Sequence, residues 1–195
     1  MAVLDVVTFP HPVLKQKCSE VLRFDAELHA FLDDMAATMN EADGIGLAAN
    51  QVGVTQRIFL MDVPTNRGSG EKEVKTTGRI EVVNPKIVSM RGELKYEEGC
   101  LSFPGMSEFV MRAAEVDLEY QDRTGAVQKV AARGLVAVCI QHELDHLDGI
   151  TFVDRLSPFK RKIAMREYLR QNRELIDDQA MREKQKARRA QQNVG

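Results

Sequence analysis

The stretch that most restricts the fold is "LVAVCIQHELDHLD", residues 135–148, because one predicted helix carries both apolar and ionisable side chains on its inner side. Leu135, Val138, Cys139, His142 and His146 recur at helical intervals on one face, and Gly149 follows as a C-terminal stop. Such a helix needs other elements wrapped around it. The sequence before it is β-rich: "RIFLMD" (57–62), "RIEVVNPKIVSM" (79–90) and "AAEVDLEYQD" (113–122), the last alternating Val116, Leu118 and Tyr120. Gly and Asn/Pro breaks separate these runs. Earlier still, "FDAELHAFLDDMAATMNEAD" (24–43) places Leu28, Phe31, Leu32, Met35 and Met39 at helical spacing behind Asp25 as N-cap. A helix, then short strands, then the histidine helix is an α+β order and not an alternating βαβ one. The expected fold has mainly antiparallel strands packed around a central HExxH-bearing helix, with N-terminal and C-terminal helices.

At 195 residues and 44% hydrophobic content, the chain suffices for one substantial core and is too short for two full domains. Ser157 as cap and Pro158 at the first helical position open a final helix, and its continuation "MREKQKARRAQQNVG" (181–195) reads as too polar to pack. The expected organisation is a catalytic domain over residues 1–170 and a basic tail over 171–195, the end of a helix followed by disorder. Residues 63–78, polar and Gly-rich, read as a surface excursion or long hairpin loop. The net charge of −2 hides an asymmetry, since residues 1–154 carry net −9 and residues 155–195 net +7. A polyanionic partner therefore suits the tail alone, and no DNA partner is expected. The three cysteines, Cys18, Cys100 and Cys139, are odd in number and scattered, which fits a reducing compartment better than a disulfide framework. No run of 18 apolar residues occurs, and "MAVLDVVTFPHP" lacks a leader pattern, so a cytoplasmic protein without a membrane segment is expected.

Two histidines four apart on a helix lie about 6 Å apart along its axis, so both imidazoles can meet one ion, and the adjacent Glu143 points close to that ion. Two ligands and a nearby base are what metal-assisted hydrolysis requires. The alternative is an ordinary pair of satisfied buried histidines. The third ligand decides the class. A metzincin pattern puts a histidine six after His146, where Phe152 stands, and a gluzincin-like pattern would draw on Glu167 or Glu174 in a basic, solvated helix. Cys139 shares the helix face but stands about 10.5 Å along the axis from His146, which suits a small core residue. In "EEGCLSFPG", Cys100 follows Gly99 and precedes Pro104, an irregular segment on which a thiolate can complete a Cys/His/His triad with a fourth position open. Gly44, Gly46 and Ala49 in "DGIGLAANQVG" mimic a dinucleotide-binding loop, but a helix precedes them where that motif needs a strand. Glycines there also allow close approach to an extended peptide, with Gln51 offering an amide donor to a developing oxyanion.

"GIGLAANQVG", "EEGCLSFPG" and "QHELDH", in this order and at this spacing, together resemble the peptide deformylase family, and the resemblance extends over roughly residues 3–170. It implies Cys100, His142 and His146 as metal ligands and Glu143 as catalytic acid/base. It also implies Gln51 and the backbone N–H of Leu101 as the oxyanion site, with Gly46 holding the peptide backbone. A methionine pocket is implied, with Ile45, Leu135, Val138 and Cys139 as its apolar wall and Glu98 near its mouth. The implied cofactor is one divalent ion per chain, iron(II) first, with zinc, nickel or cobalt able to replace it. The implied substrates are nascent N-formylmethionyl polypeptides. A monomer is expected, and the basic C-terminal segment, which lies outside the resemblance, reads either as a solvated helix with a flexible end or as a dock for ribosomal RNA. Met106 and Ser107 occupy the stretch where some bacterial members carry a substrate-contacting arginine. The competing readings are a zinc endopeptidase on the same helix and a structural zinc module closed by a second cysteine.

Overall fold

Asp25 caps the first helix as its context predicts: its carboxylate accepts a hydrogen bond from Leu28 N at 3.2 Å, and α1 runs Ala26–Glu41. The computed structural model describes residues 2–65 and 75–192. After α1 come β1 (Gly46–Ala48), β2 (Ile58–Met61), β3 (Ile80–Arg91), β4 (Leu94–Gly99), β5 (Ser107–Arg112), β6 (Glu115–Gln121) and β7 (Val127–Arg133). Then follow α2 (Leu135–Leu147), α3 (Pro158–Gln171) and α4 (Arg173–Gln192). Five strands form one antiparallel sheet in the order β1-β2-β3-β6-β7, and β4 pairs with β5 in a separate antiparallel hairpin.

Strand β2 is a continuous apolar run because it is buried on both sides. Phe59 and Met61 join a core with Ala137, Cys139, Ile140 and Leu147 of α2, while Ile58 and Leu60 join Leu28, Leu32, Met35 and Met39 of α1. The sheet thus lies between the two helices, and the histidine helix is central as expected. Asn84–Pro85, which reads as a break in the sequence, lies inside β3. Asn84 takes a positive φ of 50°, the pairing with β6 slips between Val83 and Lys86, and the strand continues past the irregularity. The Asn84 side chain ties the N-terminal segment to the sheet, accepting from Val21 N and donating to Val21 O, both at 2.9 Å. Gly149 ends α2 with φ +72°, and Ile150 N reaches Asp145 O at 2.9 Å in a Schellman-type closure. A side chain there would meet Lys15 O at 2.6 Å.

The flanks of the expected hairpin loop do pair, through a Pro64–Thr76 bridge and Thr65 N donating to Lys75 O at 2.8 Å; residues 66–74 lie outside the described residues. The C-terminal end departs from expectation. Ile176 of α4 packs with Tyr168 of α3 in one apolar cluster, and Gln179 donates to Thr8 O at 3.3 Å, so the packing does not change at residue 170. The helix also continues to Gln192, where disorder was expected, because its Arg, Lys, Gln and Ala residues are good helix formers whatever they bury. Residues 193–195 lie outside the described residues. Among the described residues no helix is long and apolar enough to cross a membrane.

Candidate active site

Three elements meet at one cavity of about 610 Å³: β1 with the turn before it, the β4–β5 hairpin with its connecting loop, and α2. Ile45, Gly46, Gln51, Glu98, Cys100, Leu101, Leu135, Val138, Cys139, His142 and Glu143, all singled out from sequence, line it, and His146 lies fully buried behind them. The ligand atoms of Cys100, His142 and His146 fall within 4.8 Å of one another. Cys100 Sγ lies 3.2 Å from His146 Nε2, and the two imidazole centroids are 5.0 Å apart. The spacing on α2 sets the histidine pair, and the turn after β4, closed by Phe103 N donating to Cys100 O at 2.9 Å, brings in the thiol.

Cys100, His142 and His146 fit a divalent ion, as the buried groups around them show. His142 Nδ1 is held at 2.8 Å by Glu98 Oε2, which leaves Nε2 as the nitrogen that can face an ion. Burial alone would lower the pKa of His142, but Cys100 and Glu98 outweigh it and hold it well above the ordinary imidazole value. A cation can replace that proton. Burial pushes His146 well below the ordinary value, so it is neutral and ready to donate. Glu143 Oε2 is buried with no hydrogen-bond partner among the described residues, and burial pushes this carboxyl up to about 7. A side chain at Gly46 would stand 2.4 Å from Glu143 Oε1, so this glycine makes room for the carboxylate.

Gln51, expected to act through its amide, is buried and fixed. Its Oε1 accepts from Ala48 N at 2.8 Å, and its Nε2 donates to Ser102 Oγ at 3.2 Å and lies 3.5 Å from Cys100 Sγ. Glu98, expected near the mouth, lines the cavity, but its carboxylate is engaged behind it. Arg112 donates from Nε and Nη2 to the two Glu98 oxygens at 2.7 and 2.9 Å, and Nη1 reaches Asp145. Burial pushes the Glu98 carboxyl up, yet Arg112 and His142 more than offset this and hold it at about 2. Arg155 closes the chain by binding Asp145 through Nε at 3.0 Å. The sequence reading missed Arg112, Asp145 and Arg155. Its available signal was Arg112 two residues after Val110 on a strand, the same face, where a buried cation must find carboxylates.

A thiol, two helical histidines and a neighbouring buried carboxylate at one cavity are the donor set and base of a metallohydrolase. Residues 3–162 match the family model for polypeptide deformylase. The chain is 44% identical over 170 residues to the peptide deformylase of Wolinella succinogenes, covering 87% of this chain and 98% of the relative. A solved peptide deformylase from Legionella pneumophila aligns with a TM-score of 0.79 at 39% identity, covering 90% of this chain and 98% of that one. Another, from Ehrlichia chaffeensis in complex with actinonin, gives 0.79 at 38%, covering 89% and 99%. The chain belongs to the polypeptide deformylase family. It is an enzyme, a metal-dependent hydrolase that removes the N-formyl group from the N-terminal formylmethionine of newly synthesised polypeptides and releases formate.

Proposed function

We propose that Glu143 is the acid/base of this hydrolysis and that Cys100, His142 and His146 hold its metal; the convergence of these three donors within 4.8 Å carries the reading. A divalent ion there would supply Lewis acidity, lowering the pKa of water and polarising the formyl carbonyl. Glu143, poised near neutrality by burial, takes a proton from the attacking water and delivers it to the leaving amine nitrogen. Gln51 Nε2 and the Leu101 N–H hold the developing oxyanion, where one donor is typically worth about 2.7–4 kcal/mol of barrier. Gly46 and Ile45 meet the peptide backbone and first side chain, and Leu135, Val138 and Cys139 form the apolar wall that receives methionine. Glu98 acts from behind this wall by orienting His142.

Iron(II) is the proposed native ion, because a thiolate donor weakens Lewis acidity and favours an ion of flexible coordination; zinc, nickel and cobalt are its substitutes. A reducing cytoplasm is the proposed compartment, supported by Cys18, Cys100 and Cys139 all standing as free thiols, and the monomer is the proposed working unit. Ribosome docking by the basic C-terminal segment is proposed on its charge alone. Formate release from formyl-Met-Ala-Ser, with and without chelator, tests the catalytic reading together with Glu143→Gln. The variant is expected to keep its metal and lose turnover. Near wild-type turnover in it would remove Glu143 from the mechanism, and cleavage of internal peptide bonds would favour an endopeptidase.

A further inference from the structure

The turn that carries Cys100 is gripped from two sides. On one side Gln51 donates to Ser102 Oγ. On the other, Phe9 N donates to Ser102 O at 2.9 Å, and the Phe9 ring stacks on Phe103 with centroids 5.1 Å apart. Phe9 is in turn held from α3: the Tyr168 hydroxyl donates to Phe9 O at 3.1 Å, and its ring lies 5.2 Å from that of Phe103. Tyr168 is only 2% exposed. The aromatic cluster continues from Phe103 to Phe152 at 5.4 Å and from Phe152 to the His142 imidazole at 6.1 Å. Cys100 itself packs at the edge of the same cluster, as does Ile176 of α4.

We infer that Tyr168 is a positioning residue for the metal centre: through Phe9 and Phe103 it holds the Cys100 turn at the distance from α2 at which thiol and imidazoles share one ion. This rests on Cys100 being a ligand. A loop thiol has no helix of its own to fix it, so its position relative to His142 and His146 depends on what packs behind the turn. That packing comes from a helix outside the strand-and-α2 core, so the C-terminal helices contribute to metal retention. Partners behind a ligand typically alter metal affinity about 10–100-fold when removed.

The test uses the full-length enzyme loaded with cobalt(II), read by its thiolate-to-cobalt absorption band and by the rate of cobalt loss to a chelator. Tyr168→Phe keeps the ring and removes the hydroxyl; Tyr168→Leu also removes the ring contacts with Phe9 and Phe103. The expected result is faster cobalt loss in both, on the order of tenfold in Tyr168→Leu and less in Tyr168→Phe, with the band weakened or shifted in Tyr168→Leu. Variants that melt at a lower temperature but keep the wild-type band and loss rate would overturn the inference, leaving Tyr168 a plain core residue. Should Tyr168→Leu not fold, an unchanged loss rate in Tyr168→Phe overturns it equally. Cys100→Ser retaining the wild-type band would instead overturn the ligand assignment, and the inference with it.

Discussion

Gly46 shows how little space the buried Glu143 carboxylate has. Its backbone lies so close to Glu143 that an added methyl group would sit 2.4 Å from Oε1 and 2.9 Å from Cys139 Sγ. Both neighbours are buried on α2, and of the two it is the Glu143 carboxylate, facing the cavity, that has room to give way. Gly46→Ala is expected to push the Glu143 carboxylate off its position and to lower kcat on the order of 10²-fold, the usual effect of an ångström-scale displacement. Metal content should stay at the wild-type ratio, because none of the three proposed ligands is touched; steady-state kinetics beside metal analysis checks both halves. Glu98 makes a pH prediction at the same scale. Its folded pKa of about 2 lies below its ordinary 4.5, so the stabilisation from its ionised form is complete above the ordinary value and is lost as pH falls through about 2. The stability gap between wild type and Glu98→Gln, measured by urea unfolding on the metal-free proteins, should therefore be widest above about 4.5 and shrink steadily below it.

At the level of elements, the site is a junction between one rigid helix and one hairpin, and the buried charges between them keep the two in register. Arg112 of β5 reaches back to Glu98 on the partner strand and across to Asp145 on α2, so one guanidinium links both strands of the hairpin to the histidine helix. Removing one member of such a buried set leaves the others uncompensated. Arg112→Met is expected to cost about 3–5 kcal/mol of stability, more than a cavity of the same size would, as read by urea unfolding. This junction also marks what the sequence could and could not reveal. His142, Glu143 and His146 were legible because a helix fixes residues four apart on one face whatever surrounds it. Cys100 was legible through the irregular chain about it. Strands β4, β5 and β7 were not: "LKYEEG" carries charges on both faces, "SEFVMR" puts Glu108 and Arg112 beside the buried Val110 while Phe109 and Met111 are exposed, and "VQKVAAR" has few large apolar residues to mark a face. Arg112 was hidden for the same reason: a cation in a mixed strand reads as solvent-facing until its carboxylates are brought in from 14 and 33 residues away.

Across the whole molecule, the acidic body and basic C-terminal segment remain separate, but that segment does not hang free of the body. It docks through Tyr168, Ile176 and Gln179, so cutting it away to test for ribosome binding would also remove the support of the Cys100 turn and confuse two effects. Substitution on its outer face avoids this. Lys160, Lys162 and Arg166 of α3 are exposed, near the exposed Phe159 and Ile163, while Tyr168 points inward. Counterion release makes polyanion binding fall with salt, with log K losing about 0.7–0.9 per log salt for each phosphate neutralised. If this face meets ribosomal RNA, replacing the three cations by glutamate should abolish cosedimentation with ribosomes at moderate salt and reduce the salt slope by roughly two to three. Formate release from a short formylated peptide should be unchanged, since all three are exposed and none lines the cavity. Cosedimentation equal to wild type across the salt range would show that the charge asymmetry serves solubility and that the body finds its substrates without docking.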